Sequence, residues 1–191
     1  MKSVMNQQDR AVTPVISTIL MVAIVVILAA TISVFFLGIA EDINQPAPNV
    51  ADTTGEFEAG ADQQFVRITH IAGESVSVEN IEIIVRASGP GNGLPTEARL
   101  VNLPGDGFFT GSLDDSNIEG NDDLIGQGFQ STKIIVVDDS NTWYTGKTIQ
   151  LQINTGTADF REGKSPEADE IEVIIVHTPS SAIISEHTFR P

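Results

Sequence analysis

The chain opens with a short polar segment, continues with one long apolar run, and then changes to short apolar runs separated by turn residues. No residue from Ala11 to Ala40 is charged, and Val, Ile, Leu, Ala, Met and Phe dominate the run from Val15 onward. A helix needs about 20 apolar residues to cross a bilayer. The pattern therefore predicts one membrane-length helix, with Pro14 in its first turn, where a missing N–H is tolerated.

The sequence beyond this run predicts a β-rich domain. Short runs rich in Val, Ile, Phe and Thr alternate with clusters of Gly, Pro, Ser, Asn and Asp, which is typical of strands and turns. Strands are expected at residues 65–71, 76–85, 133–137, 143–153, 171–177 and 182–189. The last two are expected to form a hairpin with a four-residue connection. Trp143 and Tyr144 are expected to face opposite sides of their strand.

Two stretches are expected to lack regular structure. Residues 45–60 combine Pro, Gly and acidic side chains, and they predict a linker. Residues 105–130 are rich in Gly, Asp and Asn and predict a long exposed loop, with one short strand at Phe108 and Phe109. The predicted fold class is α+β, with a long N-terminal apolar α-helix followed by a β-rich head that is sandwich-like and Ig-like.

Charge is distributed unevenly along the chain. There are 26 Asp and Glu but only 10 Lys and Arg, which gives a net charge of -16 and a pI near 4.3. Lys2 and Arg10 precede the apolar run and Glu41 and Asp42 end it, so the positive-inside rule places the N-terminus in the cytoplasm and the head outside. So acidic a surface excludes nucleic acid as a partner and predicts an organism that lives in high salt.

The apolar run has three interpretations. A secretory signal peptide would be cut behind the small residues Gly38 and Ala40, but its apolar core normally has about 7 to 15 residues and this run is longer. A single-span anchor that displays a β-domain agrees with the hydropathy. An assembly helix agrees with the hydropathy equally well. The residues around the start of the run therefore have to distinguish an anchor from an assembly helix.

The residues from Asp9 to Ala30, DRAVTPVISTILMVAIVVILAA, closely resemble the N-terminal domain of haloarchaeal type IV pilins. The resemblance is strong over roughly the first 40 residues and looser over the β-rich remainder. In that family a prepilin peptidase at the cytoplasmic face cuts after a charged residue followed by a small one. Arg10 and Ala11 fit those positions, so Val12 is implied as the mature N-terminus, and a cut between Arg10 and Ala11 is the alternative.

The resemblance also implies how the chain is organised and assembled. Its segments are a leader at 1–11, an assembly helix at 12–40, a linker at 41–60 and an extracellular acidic head at 61–191. The helix would leave the bilayer and pack among copies of itself, because small and apolar side chains allow close approach. Ile16 stands at the fifth mature position, where bacterial pilins carry glutamate, so the helix register must come from packing. The expected contact positions are Pro14, Val15, Ile16, Ile19, Leu20, Ala23, Ile27, Ala30, Phe35 and Gly38.

The implied partners are identical or related pilin subunits, the prepilin peptidase, a pilus assembly ATPase and a membrane platform protein. The precursor would lie in the cell membrane, and the assembled protein would form an extracellular pilus for surface adhesion or cell contact. An archaellin of a rotating filament, or a minor pilin, is the alternative within the same machinery. A membrane-anchored binding module that never polymerises is the alternative of a different class.

No residue pattern indicates an enzyme or a cofactor. Cysteine is absent, which excludes disulfides and thiol chemistry, and no glycine-rich phosphate loop occurs. The acidic stretch from Asp114 to Asp123 leaves calcium binding open, although its spacing is not that of an EF-hand. Three histidines lack metal-site spacing and two serines lack the surroundings of a nucleophile elbow: His70, His177, His187, Ser165 and Ser180.

Overall fold

The computed structural model describes residues 8–43, 46–60, 63–105, 113–126 and 141–191. The chain divides into two compact units, Met1–Gln45 and Pro46–Pro191. The first contains one long α-helix, and the described residues of the second form antiparallel β-sheets. This arrangement confirms the predicted α+β class. The strands expected at 133–137 and at Phe108 and Phe109 lie outside the described residues.

The helix α1 spans Gln8–Ile43, a total of 36 residues. At about 1.5 Å per residue it is roughly 54 Å long. Because α1 begins at Gln8, Pro14 lies inside the helix, and the expectation that Pro14 occupies the first turn is wrong for the uncut chain. Residues 8–10 continue the helix ahead of the apolar run, in agreement with the helix propensities of Gln and Arg.

The described head residues contain sheets of three, five and two strands, in the orders β1-β2-β8, β10-β9-β4-β5-β6 and β3-β7. All of the strand pairs in these sheets are antiparallel. The strands are β1 Val50–Ala59, β2 Gln64–Gly73, β3 Val76–Ser77, β4 Ile81–Ser88, β5 Thr96–Leu100, β6 Ile118–Gly120, β7 Thr142–Trp143, β8 Thr148–Ile153, β9 Glu170–His177 and β10 Ala182–Phe189.

Most of the strands predicted in the described residues are confirmed. Strands β2, β9 and β10 match their predicted ranges, and residues 178–181 form the expected four-residue connection of the β9–β10 hairpin. The predicted runs 76–85 and 143–153 each divide into two strands, β3 with β4 and β7 with β8. Trp143 is fully buried and Tyr144 is 37% exposed, as their alternation predicts.

Three strands occupy positions where the sequence did not predict them. Strand β1 lies in the predicted linker, so the segment between α1 and the first strand contains only residues 44–49. Strand β6 and two short 3-10 turns lie in the predicted loop 105–130. Strand β5, at Thr96–Leu100, lies in a stretch for which no strand was predicted. All three are edge or short strands with few apolar side chains, so alternation gives them little signal.

Both larger sheets contribute their inner faces to a single core. Side chains alternate between buried and more exposed along β2 and β8, as a half-buried strand requires. The five-stranded sheet covers the other side of the same cluster, which makes the head sandwich-like, while the Ig-like detail stays a prediction. The cluster includes Val66, Ile68, Ile149 and Leu151 from the first sheet and Ile83, Val85, Val173 and Ile175 from the second.

Side-chain contacts close one flank of the sandwich, where β1 and β10 are the edge strands of their sheets. Thr53 Oγ1 lies 2.9 Å from Ser185 Oγ and 2.9 Å from His187 Nε2, so hydroxyl and imidazole groups bridge the two strands. Gly55 permits this approach, because a Cβ there would lie 2.6 Å from the Phe189 ring. On the other flank, the backbone around Ile125 bridges to β8. Both flanks therefore hide strand edges from solvent.

Candidate functional site

The surface of α1 is the most unusual feature of the molecule. Residues 14–35 form a candidate membrane span of 22 residues with a mean hydropathy of 2.9, and none of it is buried within the chain. Its large apolar side chains are exposed by 51% at Ile16 to 71% at Val34. Soluble monomers rarely expose contiguous apolar patches of more than a few hundred Å². This surface therefore requires lipid or other protein around it.

The few polar side chains of the span are satisfied within the helix. Thr18 Oγ1 donates to the Val15 carbonyl at 2.9 Å, and Thr31 Oγ1 donates to the Leu28 carbonyl at 2.9 Å. Ser33 Oγ donates to the carbonyl of Ala29 at 2.8 Å. A hydroxyl that bonds to its own helix can enter hydrocarbon without leaving an unsatisfied donor. These bonds make the helix compatible with a bilayer and with a dry bundle of helices.

Helical geometry brings some of the predicted contact positions together and separates others. Residues spaced three and four apart share one face of a helix. Pro14 and Phe35 point away from that shared face, Val15 lies at its margin, and Gly38 lies beyond the part of α1 whose side chains are described. The small Ala23 and Ala30 lie among large side chains on the face, which suits interdigitation with another helix. Its members are Ile16, Ile19, Leu20, Ala23, Ile27 and Ala30.

The predicted cleavage region lies in regular helical backbone. Arg10, Ala11 and Val12 all belong to α1, close to its beginning at Gln8. The sequence did not reveal this, because the polar residues before the apolar run carry no periodic signal. The only available hints were the helix propensities of Gln8 and Arg10.

The histidines of the head serve its packing. His70 is fully buried, its ring meets that of Trp143 edge to face with centroids 5.0 Å apart, and neither ring nitrogen has a hydrogen-bond partner within the described chain. His177 Nδ1 lies 2.7 Å from Ser180 Oγ in the β9–β10 turn. Burial lowers the pKa of His70, His177 and His187 below the ordinary value of 6.5.

The acidic stretch uses its first carboxylate in local structure. Asp114 caps a 3-10 turn, with its carboxylate accepting from the Ser116 backbone N–H at 2.8 Å. The Ser116 hydroxyl donates to the same carboxylate, and this bond, together with that from the Ser116 backbone N–H, lowers the pKa of Asp114. Within the described residues, no three His, Asp or Glu side chains come together as a metal site would require. Ser165, the other candidate serine, is exposed in a loop.

Comparison with known proteins connects the helix to a family. Residues 10–51 match the family described as archaeal type IV pilin, N-terminal. This segment is therefore similar to the N-terminal domain of archaeal type IV pilins. The match covers α1 from Arg10 to its end, and it confirms the resemblance carried by the apolar run. It supports a type IV pilin-like subunit, and the family is one of structural subunits that assemble into filaments.

A second comparison extends beyond the helix. The chain is 34% identical over 89 residues to an uncharacterized protein from Archaeoglobus fulgidus. The aligned region covers 47% of this chain and 61% of that relative. The chain therefore spans less than two thirds of the length of the relative.

Proposed function

We propose that this chain is the structural subunit of an archaeal type IV pilus, assembled through α1 and displaying the acidic head on the outside. One observation carries the proposal: the segment that matches the pilin N-terminal family contains a 22-residue apolar span that the rest of the chain does not bury. A bilayer can cover this surface before assembly, and copies of the same helix can cover it afterwards. The face from Ile16 to Ala30, where Ala23 and Ala30 lie among large side chains, supports the second arrangement, because dispersion contacts between helices can replace contacts with lipid.

The proposal includes removal of the leader. Lys2 and Arg10 carry positive charge at the start of the chain, and a charge within an axial bundle of helices is costly without a partner. A prepilin peptidase acting at the cytoplasmic face would cut after Ala11, with a cut after Arg10 as the alternative. The mature chain would then start at or next to the apolar span, and the positive charges would stay behind.

The proposed partners follow from this assembly route. Identical or related pilin subunits would cover the helix, and an assembly ATPase with a membrane platform protein would lift it out of the bilayer. The precursor would lie in the cell membrane with its N-terminus inside, and the assembled subunit in an extracellular pilus for adhesion or cell contact. The net charge of -16 belongs almost entirely to the head, where it would keep the pilus surface hydrated.

Mass spectrometry of the N-terminus tests the proposal on protein isolated from cells with working assembly machinery. A chain that starts at Val12 or Ala11 is expected. An intact Met1 or Lys2 would instead indicate an anchored module that never polymerises, and a chain starting at Glu41 would indicate a secreted domain. Electron microscopy of a deletion strain is expected to show loss of thin pili, and loss of swimming filaments would point to an archaellin.

A matched variant tests the processing step. Replacing Arg10 and Ala11 together is expected to leave an uncut precursor in the membrane, because the peptidase would lose both side chains that precede the cut. Replacing Gln7 and Gln8 is the control, since it changes two polar residues just ahead of the site. Normal numbers of filaments from the Arg10 and Ala11 variant would contradict the proposed route.

A further inference from the structure

Pro14 lies where the backbone of the uncut chain has to open. Both candidate cut bonds, Arg10–Ala11 and Ala11–Val12, belong to α1, which begins at Gln8. In a regular α-helix each carbonyl accepts from the N–H four residues later, and the backbone is closely wound. A peptidase must draw the carbonyl of the bond that it cuts out of this ladder. Helical backbone at the cut site is therefore an obstacle to processing.

Pro14 weakens the helix at the Arg10 carbonyl, next to the candidate cut bonds. The donor for the Arg10 carbonyl in an α-helix is the N–H of residue 14, and proline has none. The pyrrolidine ring also crowds the carbonyl four residues earlier, which is again that of Arg10. Since this carbonyl belongs to the Arg10–Ala11 bond and immediately precedes Ala11–Val12, the weakest position of the ladder adjoins both candidate cut bonds.

Pro14 also separates the part of α1 that has to open from the part that has to stay in lipid. The candidate membrane span begins at Pro14, so residues 8–13 lie ahead of it. These residues can unwind without moving the apolar side chains of the span. The ladder is therefore interrupted at the boundary between the two parts.

The conflict disappears once the leader is removed. After a cut behind Ala11, Pro14 becomes the third residue of the chain, and after a cut behind Arg10 it becomes the fourth. The first N–H groups of a helix have no partner within it, and proline suits the first turn for that reason. The same residue therefore destabilises the precursor helix at the cut site and fits the start of the mature helix.

We propose that Pro14 is a positioning residue for leader removal: it leaves the Arg10 carbonyl without its helical partner, so the helix opens more easily at the neighbouring cut bond. This inference rests on the proposed function. In the cut itself, water adds across the Ala11–Val12 peptide bond, which leaves a carboxyl group on Ala11 and an amine on Val12. Pro14 does not touch the reacting atoms, and it acts only through the helix that contains them.

The test measures how fast the full chain is cut in cells that contain the peptidase. Pulse labelling and separation of precursor from mature protein give this rate. Pro14→Ala restores the N–H and a strong helix former, so cutting is expected to slow by as much as about 100-fold. Val22→Ala, which keeps the proline and lies two turns further along α1, is expected to be cut at the normal rate. The amount of labelled chain that enters the membrane, precursor and mature protein together, is expected to be the same in both variants.

Pro14→Gly separates helix opening from recognition of the proline ring. Glycine restores the N–H but is a poor helix former, so an intermediate rate is expected. If Pro14→Gly were as slow as Pro14→Ala, the peptidase would be reading the ring and the inference would be overturned. Normal cutting of Pro14→Ala would overturn it too, while leaving the proposed function intact. A wild-type chain that keeps Met1 would instead remove the proposed function itself.

Discussion

The helix and the head solve the problem of apolar surface in opposite ways. Across residues 14–35 of α1 no side chain is buried, although nearly all of them are apolar. In the head, large side chains such as Trp143, Ile68 and Ile83 are completely buried between two sheets. The head therefore has its own core, whereas the apolar span depends on what surrounds it. A helix of this kind is an assembly element whose partners lie outside the chain.

The two regions differ as sharply in charge. Residues 11–40 carry no charge, and the acidic excess lies in the head. Each arginine in the described part of the head has a carboxylate partner, and Arg86 has two, so acidic side chains outnumber the arginines that pair with them. The pairs are Arg67–Glu58, Arg86–Glu97, Arg86–Glu172, Arg99–Glu82, Arg161–Asp159 and Arg190–Glu170. Asp159 is buried. The other pairs are more exposed, and exposed pairs typically contribute about 0 to 1 kcal/mol each, so they do not hold the head together.

The largest expected effect comes from removing the centre of the head core. Trp143→Ala is expected to lower the free energy of unfolding of the head by about 3 to 5 kcal/mol, because it leaves a large cavity. The helix is expected to stay in the membrane, since it makes no use of that core. Thermal unfolding by circular dichroism measures the first effect, and the carbonate-resistant membrane fraction measures the second.

Tyr144→Ala is the matched control for that variant, because Tyr144 is the exposed neighbour of Trp143. Its effect is expected to be well below that of Trp143→Ala. If Trp143→Ala removed the chain from the membrane as well, the two regions would not be independent, and the comparison would fail.

The converse change affects the helix alone. Ile27→Asp places a carboxylate near the middle of the apolar span, where it is expected to oppose insertion by about 3 to 4 kcal/mol. Because the head forms its own core, the fluorescence of Trp143, the only tryptophan, is expected to be unchanged. Fractionation into membrane and soluble pools measures insertion. Ile27→Leu is the control, and it is expected to behave like the wild type.

The sequence predicted the helix well because its signal does not depend on long-range contacts. Uncharged apolar residues over a membrane length indicate a helix whatever follows them. The exact beginning of α1 was missed, since residues 8–10 are polar and only their helix propensity favours the extension. The position of Pro14 relative to the helix start therefore came from the structure, although the proline itself is plain in the sequence.

The strands that were missed share a physical reason. Between Val50 and Ala59 only Phe57 is large and apolar inside the strand, because the inward side of β1 faces β10 at close range and needs Gly55 there. An edge strand with a small inner face does not alternate as a half-buried strand does. The burial of His70 was equally hidden, because it depends on Trp143, which lies far away along the chain.

The smallest expected change in the stability of the head comes from replacing His70. This change also separates the effect of packing from the effect of charge. A buried polar group without a hydrogen bond typically costs about 1 to 3 kcal/mol. His70→Phe keeps an aromatic ring against Trp143 and removes both unpartnered nitrogens, so the head is expected to be as stable as the wild type or more stable at pH 7.5. His187→Phe is the control. His187 Nε2 lies 2.9 Å from Thr53 Oγ1, and losing that contact is expected to destabilise the head.

The pH dependence of the same variant gives an independent measurement. Burial lowers the pKa of His70 in the folded head by more than the nearby Glu74 backbone raises it, so the unfolded chain binds the proton more readily. Above pH 6.5 His70 is neutral in both the folded and the unfolded chain, so this difference in pKa costs no stability. As the pH falls from 6.5 towards the lowered pKa, the unfolded chain takes up the proton first and the head loses stability. Asp114 and Asp159, whose pKa values lie below 3.8, act only in more acidic solution. The free energy of unfolding is measured with urea and Trp143 fluorescence at pH 7.5 and at pH 5.5. Its decrease between the two pH values is expected to be smaller for His70→Phe than for the wild type. An equal decrease in the two proteins would mean that His70 is not buried in its neutral form. The core of the head would then tolerate a charge that the apolar span excludes.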